Sequence, residues 1–236
     1  MQNNSIKILC TRPIELKLLE AANAQGIKIE TFEFIETAPI KEFQTQSAIE
    51  AVGLQETTVV FTSMNAVEAV AKLVQYKQGK WTIYCIGTTT QNLVKKYFGA
   101  EKIAGTANSA AELANCIINT KQVHNLTFFC GDQRREELPD LLRNNQIAVN
   151  EIKVYQTTAV NHQISETFDG ILFFSPSAVN SFFTNNKIPS TTILFAIGKT
   201  TAQEIKLFST NNIIVSEVPG KENLVKMMMQ HFGKTT

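Results

Sequence analysis

Residues 58–74 read TVVFTSMNAVEAVAKLV, and this stretch decides the fold class. Its first part is a run of β-branched and aromatic residues, which predicts a strand over residues 58–62. Apolar residues then recur at helical spacing, and they are Ala66, Val67, Val70, Leu73 and Val74. A strand followed within a few residues by an amphipathic helix is the building unit of α/β proteins.

The same alternation runs along the whole chain. Strands are predicted at 6–11, 27–35, 58–62, 83–86, 126–130, 147–155, 170–174, 193–197 and 213–215. Most are separated by 10–15 residues of helical pattern. We therefore predict an α/β protein whose parallel sheets are flanked by helices.

An internal repeat organises these units. FTSMNAV at 61–67 matches FFSPSAV at 173–179, and CIGTTT at 85–90 matches AIGKTT at 196–201. A weaker match relates residues 27–37 to residues 147–157. Two similar domains are the simplest explanation.

The stretches 27–35 and 147–155 are long for strands and carry charged residues. We expect them to leave one domain and to pair with each other as a two-stranded β connector. This predicts a discontinuous α/β domain of residues 1–35 plus 158–236, an inserted α/β domain of residues 38–154, and a connector of residues 36–37 and 155–157. Two sequential domains divided near residue 120 are the alternative.

Composition limits the classes of function. The 236 residues include 22 Lys+Arg and 21 Asp+Glu, a net charge of +1, which argues against nucleic-acid binding through a basic surface field. No basic and apolar leader precedes the first strand, and the longest apolar runs are too short to span a bilayer. The four cysteines form no CxxC pair and the three histidines no ligand spacing, so we expect buried thiols in a reducing cytoplasm and no metal site.

Four predicted strand–helix junctions are rich in small hydroxyl residues. In open α/β sheets ligands bind at such junctions, where backbone N–H groups and the helix dipole favour anions. The same residue types are also what helix N-caps require, and that interpretation stays open. The junctions are Thr62-Ser63-Met64-Asn65, Gly87-Thr88-Thr89-Thr90, Ser175-Pro176-Ser177 and Gly198-Lys199-Thr200-Thr201.

Three of the four arginines stand near predicted strand ends. Arg12 follows the first strand, and Arg134 and Arg135 follow strand 126–130. Arginine binds carboxylates through two parallel hydrogen bonds. Surface ion pairs in a first helical turn are the alternative for Arg135, and Arg143 is interpreted as part of a solvated helix face.

Seven short motifs occur in an order that resembles the uroporphyrinogen-III synthase family. They are CTRP at 10–13, FTSMNAV at 61–67, IGTTT at 86–90, CGDQRREEL at 130–138, VYQT at 154–157, FSPSAV at 174–179 and AIGKTTA at 196–202. Each motif alone is weak, but their common order extends over nearly the whole chain.

The resemblance implies a monomeric, cofactor-free enzyme with two α/β domains joined by a two-stranded ladder. Its active site would lie in the cleft between the domains. Such enzymes, which are cyclising hydro-lyases, close hydroxymethylbilane, a linear tetrapyrrole with many carboxylates, into uroporphyrinogen III. They invert ring D and release water. The implied partner is this small molecule alone, with no nucleic acid and no membrane.

The resemblance also assigns residues. Tyr155 in VYQT would be the catalytic proton donor, although a tyrosine at a strand end is otherwise a packing residue. Substrate-binding residues would be Thr62, Ser63, Asn65, Gly87, Thr88, Thr89, Ser175, Ser177, Gly198, Lys199, Thr200 and Thr201, with Arg12 and Arg135 as further candidates.

Two positions depart from the family pattern. Cys130 stands where many bacterial members have an arginine, and Gln146 stands where a glycine is expected. The first puts a carboxylate-binding role at position 130 in doubt, and the second is expected to change only a turn. A non-catalytic two-domain binding or sensor protein for a carboxylate-rich ligand such as a tetrapyrrole is the alternative function.

Overall fold

The computed structural model describes residues 5–74, 79–218 and 220–233. The chain divides into two compact units. Unit 1 comprises residues 1–36 and 158–236, and unit 2 comprises residues 37–157. The domain limits given above remain a prediction. The same holds for the connector of residues 36–37 and 155–157.

Strands and helices alternate in both units, because β-branched runs are followed by amphipathic segments. The strands are β1 (Ile6–Cys10), β2 (Ile27–Thr31), β3 (Ile35–Pro39), β4 (Thr57–Phe61), β5 (Trp81–Ile86), β6 (Ile103–Ala107), β7 (Asn125–Gly131), β8 (Ala148–Ala159), β9 (Gly170–Phe173), β10 (Ile193–Ala196) and β11 (Ile213–Val215). The helices are α1 (Leu16–Asn23), α2 (Phe43–Gly53), α3 (Met64–Val74), α4 (Thr88–Phe98), α5 (Ala110–Asn119), α6 (Glu137–Asn144), α7 (Pro176–Asn185), α8 (Lys199–Ile205) and α9 (Lys221–Phe232), with a short 3₁₀ turn at Ala100–Lys102. Strand β6 was not predicted from the sequence.

Unit 1 is built on a five-stranded sheet in the order β11-β10-β9-β1-β2. All four neighbouring pairs are parallel. Each face of the sheet carries its own apolar cluster, one packing against α1 and α9 and the other against α7 and α8. A parallel sheet covered on both faces confirms the predicted α/β class.

Unit 2 is built on a six-stranded sheet in the order β3-β8-β7-β4-β5-β6. The four pairs from β8 to β6 are parallel. One face packs against α3 and α4 around stacked Phe61 and Phe129, and the other packs against α5 and α6. The carboxyl ends of β8, β7, β4 and β5 therefore follow one another along one edge of this sheet.

The prediction of one long connector strand at 27–35 is wrong. Residues 27–31 form β2, which pairs in parallel with β1 inside the sheet of unit 1. The chain breaks strand geometry at residues 32–34, because the Phe34 ring is fully buried against Phe182 and His162. The predicted strand 147–155 likewise joins a core sheet, since its residues pair in parallel with β7.

Strands β3 and β8 are the neighbours that carry the chain between the units. The Ile40 N–H donates to the Val154 carbonyl, and the Val160 N–H donates to the Phe34 carbonyl. The residue number on one strand falls as the number on the other rises, which is the antiparallel pattern.

The turn before β8 explains the departure at Gln146. Helix α6 ends with two bonds, from the Gln146 N–H to the Arg143 carbonyl at 3.0 Å and from the Ile147 N–H to the Leu142 carbonyl at 3.1 Å. This is a Schellman motif, which needs a left-handed residue at the position of Gln146. Gln146 has a φ of 62°, and its repeat counterpart Gly26 has a φ of 76°. The turn geometry is therefore the one that favours glycine, and here glutamine adopts it.

Candidate active site

The four hydroxyl-rich stretches lie where predicted, between a strand and the following helix. They connect β4 to α3, β5 to α4, β9 to α7, and β10 to α8. The first two belong to unit 2 and the last two to unit 1. Because β4 and β5 are parallel neighbours, the two junctions of unit 2 lie side by side at one sheet edge.

Ser63 and Ser175 perform the same local task in the two units. The Ser63 Oγ accepts the Asn65 N–H at 3.1 Å, and the Ser175 Oγ accepts the Ala178 N–H at 3.2 Å. Both serines thus cap the helix that follows them, which satisfies a backbone donor at each helix start. Thr62, Asn65 and Ser177 are half-buried beside these caps.

The two glycine junctions differ in their backbone. Gly87 has a φ of 77°, which favours glycine, whereas Gly198 is extended and could be any residue. An added Cβ would meet no atom within 4 Å at either glycine. Thr88, Thr89 and Lys199 are exposed and Thr200 is half-buried, whereas Thr201 is 2% exposed and faces the interior of unit 1.

A β-bulge in β8 determines the face of the sheet on which the Tyr155 side chain lies. Cys130 of β7 pairs with Lys153, but the next residue, Gly131, pairs with Tyr155, so β8 bulges at Val154. In a regular strand Val154 and Tyr155 would point to opposite faces. With the bulge, Tyr155 packs against the same apolar cluster that contains Val154.

The Tyr155 ring lies across Gly131. A Cβ built at Gly131 would stand 2.5 Å from the ring carbon Cζ and 2.7 Å from the hydroxyl oxygen. The tyrosine hydroxyl also hydrogen-bonds to Ser63, which follows the neighbouring strand β4. Three adjacent strands therefore set the position of one phenol group.

Burial raises the pKa of Tyr155, and the negative charge of Asp132 acts in the same direction, whereas the bond to Ser63 opposes them. The phenol is therefore protonated at neutral pH and has a proton to donate. Asp132 also holds the backbone around Tyr155. Its N–H donates to the Tyr155 carbonyl at 3.1 Å, and its Oδ1 accepts the Thr157 N–H at 2.9 Å.

A cavity of about 170 Å³ adjoins Tyr155 within unit 2. It is lined by Thr37, Ala38, Pro39, Asn65, Glu68, Ala69, Lys72 and Tyr155. Glu68 and Lys72 were not singled out from the sequence. Their spacing from Asn65, three and seven residues along α3, is the signal that places all three on one helix face.

The arginines do not share one environment. Arg134 is paired with Glu151, whose side chain is only 13% exposed, and also with Glu136. Arg143 is exposed on α6, with 44% of its side chain accessible, as expected for a solvated helix face, and it also pairs with Glu151. Arg135 remains exposed on the loop that follows β7. In unit 1 the Arg12 guanidinium carbon lies 5.8 Å from the centre of the Phe174 ring.

The cysteines supply no reactive thiol at these junctions. Cys10, Cys85 and Cys130 are buried, and burial raises the pKa of each to about 11. Cys130 packs in the apolar cluster on the α5 and α6 face of the sheet. The Cys130 thiol is therefore a core residue.

Neither a metal-binding cluster nor a membrane-spanning helix is present among the described residues. No three His, Cys, Asp or Glu side chains within residues 5–74, 79–218 and 220–233 converge where a metal ion could bind. In the same ranges, every helix is too short or too polar to cross a membrane.

Two α/β units, each with a parallel sheet and hydroxyl-rich strand ends, and a half-buried tyrosine beside a cavity in unit 2 are the features of a two-unit α/β enzyme. The family model described as uroporphyrinogen-III synthase HemD matches residues 17–226. The chain belongs to this family and is a cyclising hydro-lyase; the alternative of a non-catalytic binding protein is not favoured.

Solved structures agree in fold. A mutant uroporphyrinogen III synthase from the extremely thermophilic bacterium Thermus thermophilus matches with a TM-score of 0.66 at 11% identity, covering 96% of this chain and 97% of that one. The uroporphyrinogen-III synthetase from Helicobacter pylori matches with a TM-score of 0.64 at 14% identity, covering 96% and 99%. The similarity over nearly the full length of each chain supports the same α/β architecture.

Proposed function

We propose that Tyr155 is the general acid with which this synthase starts the closure of hydroxymethylbilane. The proton of the Tyr155 hydroxyl passes to the hydroxymethyl oxygen of the substrate as the C–O bond breaks. Water leaves, the tyrosine becomes a phenolate, and the substrate becomes an azafulvenium cation. The observation that supports this role is the fixed position of a protonated phenol over Gly131 and beside Ser63.

The next step is one of positioning. The substituted carbon of ring D attacks the azafulvenium, and the resulting spiro intermediate fragments and recloses with ring D inverted. The final proton loss from carbon restores the charge balance, and the Tyr155 phenolate is a base of suitable strength to take this proton. Inversion requires the flexible chain to be held at several points, so that the substituted carbon reacts before the free one.

The carboxylates of the substrate are the groups through which the enzyme is proposed to hold it. Residues proposed to bind them in unit 2 are Thr62, Ser63, Asn65, Gly87, Thr88, Thr89 and Arg135. Residues proposed in unit 1 are Arg12, Ser175, Ser177, Gly198, Lys199 and Thr200. Hydroxyls and backbone N–H groups at helix starts support this assignment, because they attract anions without a large positive charge. Thr201 belongs to the same motif, but it is only 2% exposed, so we propose that it supports the junction and does not contact the substrate.

The finer properties implied by the resemblance are also proposals. The enzyme is proposed to act as a monomer in the cytoplasm, on a small molecule alone. The balanced charge of +1 supports the lack of a nucleic-acid partner. Sedimentation equilibrium of the purified protein tests the monomer, because a dimer would double the measured mass.

The assay for the reaction is the isomer ratio. The protein is incubated with freshly prepared hydroxymethylbilane, the products are oxidised, and the uroporphyrin isomers are separated. We expect isomer III in excess over the spontaneous isomer I. Formation of isomer I alone, at the rate seen without protein, would contradict the proposed function.

A further inference from the structure

We propose that the cavity beside Tyr155 is a subsite for one short acidic side chain of the substrate, with Lys72 as its counter-ion. The inference rests on the proposed function, since it supplies the reason why a carboxylate arrives next to Tyr155. The ligand class is an alkyl carboxylate of the size of acetate or propionate, as carried by the pyrrole rings of a bilane.

The size of the cavity supports this ligand. Its volume of about 170 Å³ is room for several molecules the size of water, at about 30 Å³ each. A propionate group has five non-hydrogen atoms and fits such a space. A whole pyrrole ring with its substituents has more than twice as many atoms, so we expect the ring itself to stay outside the cavity.

The lining supplies suitable donors. Asn65 and Lys72 lie on one face of α3, and Tyr155 lines the same cavity. An ammonium group gives a carboxylate a charge-assisted hydrogen bond, and an amide N–H₂ adds a neutral donor. Within the described part of the chain, Lys72 makes no ion pair, so its charge is available to a ligand.

Glu68 lines the same cavity four residues before Lys72. It lies one helical turn away at the spacing that favours Glu–Lys pairing, yet the two side chains are not paired in the structure. A carboxylate ligand would be attracted by Lys72 and repelled by Glu68. The two residues therefore have opposite predicted effects on substrate affinity, and this contrast separates a binding role from a structural one.

The experiment compares Lys72→Gln and Glu68→Gln with the unchanged protein. We expect Lys72→Gln to raise KM for hydroxymethylbilane about 5- to 30-fold, the usual scale of a charge-assisted hydrogen bond that is partly exposed. Glu68→Gln should lower KM about 2- to 5-fold. Added salt should raise KM in the unchanged protein and much less in Lys72→Gln, because salt screens the pair that the variant lacks.

Lys95→Gln is the matched control. Lys95 is an exposed lysine in the last turn of α4, as Lys72 is in the last turn of α3, and it does not line the cavity. Both substitutions remove a favourable interaction with a helix C-terminus, so both should lower stability slightly and equally. Only Lys72→Gln should change KM; an equal KM in the two variants would overturn the subsite.

A binding measurement separates this inference from the proposed function. The protein is titrated with propionate, and the side-chain amide signals of asparagine are followed by NMR. We expect the Asn65 signal to shift at millimolar propionate in the unchanged protein and not in Lys72→Gln. If the enzyme makes isomer III but Asn65 does not respond and KM does not change, the subsite is wrong and the proposed function stands. If only isomer I is formed, the propionate titration still decides the subsite.

Discussion

The ring of Tyr155 occupies the space in which a side chain at position 131 would lie. A Cβ at Gly131 would come within 2.7 Å of three Tyr155 atoms, namely Cζ, Cε2 and the hydroxyl oxygen. Real Cβ contacts are not that short, so the phenol depends on this glycine for its position.

Gly131→Ala should therefore displace Tyr155 and lower kcat about 10- to 100-fold, because small displacements of a catalytic group have effects of that size. A double-mutant cycle with Tyr155→Ala is the control. With the ring removed, the added methyl group has room, and Gly131→Ala should then change kcat by less than about twofold. An equal effect in both backgrounds would show that Gly131 acts independently of the tyrosine.

Tyr155→Phe removes the proton donor and keeps the ring. We expect kcat to fall roughly 10–1000-fold, the scale of a general acid, with little change in stability. Tyr97→Phe is the control, since Tyr97 is exposed on α4 and does not line the cavity. An unchanged kcat in Tyr155→Phe would remove Tyr155 from the catalytic role.

The pH dependence of kcat follows from the pKa of Tyr155. Burial raises this pKa above its ordinary value of 10.0, so the acid form persists at neutral pH and is lost only as the pH rises above 10. We expect no loss of kcat from this group between pH 7 and about 9. An alkaline decrease should be present in the unchanged enzyme and absent in the residual activity of Tyr155→Phe.

Asp132 both accepts the Thr157 N–H and raises the pKa of Tyr155. Asp132→Asn keeps an acceptor oxygen but removes the charge, so the alkaline decrease in kcat should move to lower pH while stability is kept. Asp132→Ala should shift the pH profile in the same direction and also lower the free energy of unfolding by about 1 kcal/mol. Denaturant unfolding measures the stability and a pH–rate profile measures the shift in kcat. If Asp132→Ala is as stable as Asp132→Asn, the bond from the Thr157 N–H does not stabilise the fold.

Arg134 and Arg135 are adjacent but should behave differently. Arg134 is paired with the largely buried Glu151, so Arg134→Met should destabilise the fold by about 1–3 kcal/mol and leave KM unchanged. Arg135→Met should raise KM several-fold, because Arg135 is the exposed member and is proposed to bind substrate. Thermal unfolding and steady-state kinetics on both variants test this, and a raised KM in Arg134→Met would reverse the assignment.

Gln146→Gly should stabilise the protein. A non-glycine residue in the left-handed region costs about 1–2 kcal/mol. Replacing it with glycine removes this cost, but glycine also gives the unfolded chain more conformational freedom, which offsets part of the gain. We expect a net gain of about 0.5 kcal/mol in the free energy of unfolding. The reciprocal change at the repeat counterpart, Gly26→Gln, should destabilise, and a loss of stability in Gln146→Gly would contradict the turn assignment.

The strand–helix units were predictable because their signals are local. Runs such as TVVF before Thr62, and the helical spacing from Ala66 to Val74, report burial on one face of an element. Strand β6, which carries Gly105 and two exposed residues, lacks such a run and was missed. The strand at 27–35 was predicted as one piece because the burial of Phe34, which breaks it, depends on rings distant in sequence.

Residues of the candidate site were predictable only where a motif carried them. Ser63, Gly87 and Tyr155 stand in short motifs, whereas Lys72 and Glu68 lie in the middle of a helix and look like ordinary surface residues. Their common face becomes meaningful only when residues 37–39 close the cavity from another part of the chain.

The amino-acid sequence by itself determined the α/β class and the hydroxyl-rich junctions, since each depends on residues close together in the chain, and it determined the repeat, which is found by comparing two stretches of sequence directly. Only the tertiary structure decided that Arg134 and Arg143 pair with Glu151, why position 131 must be glycine, and how the Tyr155 hydroxyl is positioned. These depend on the pairing register of β7 with β8 and on the bulge at Val154, and a register is a property of two strands that neither strand specifies alone.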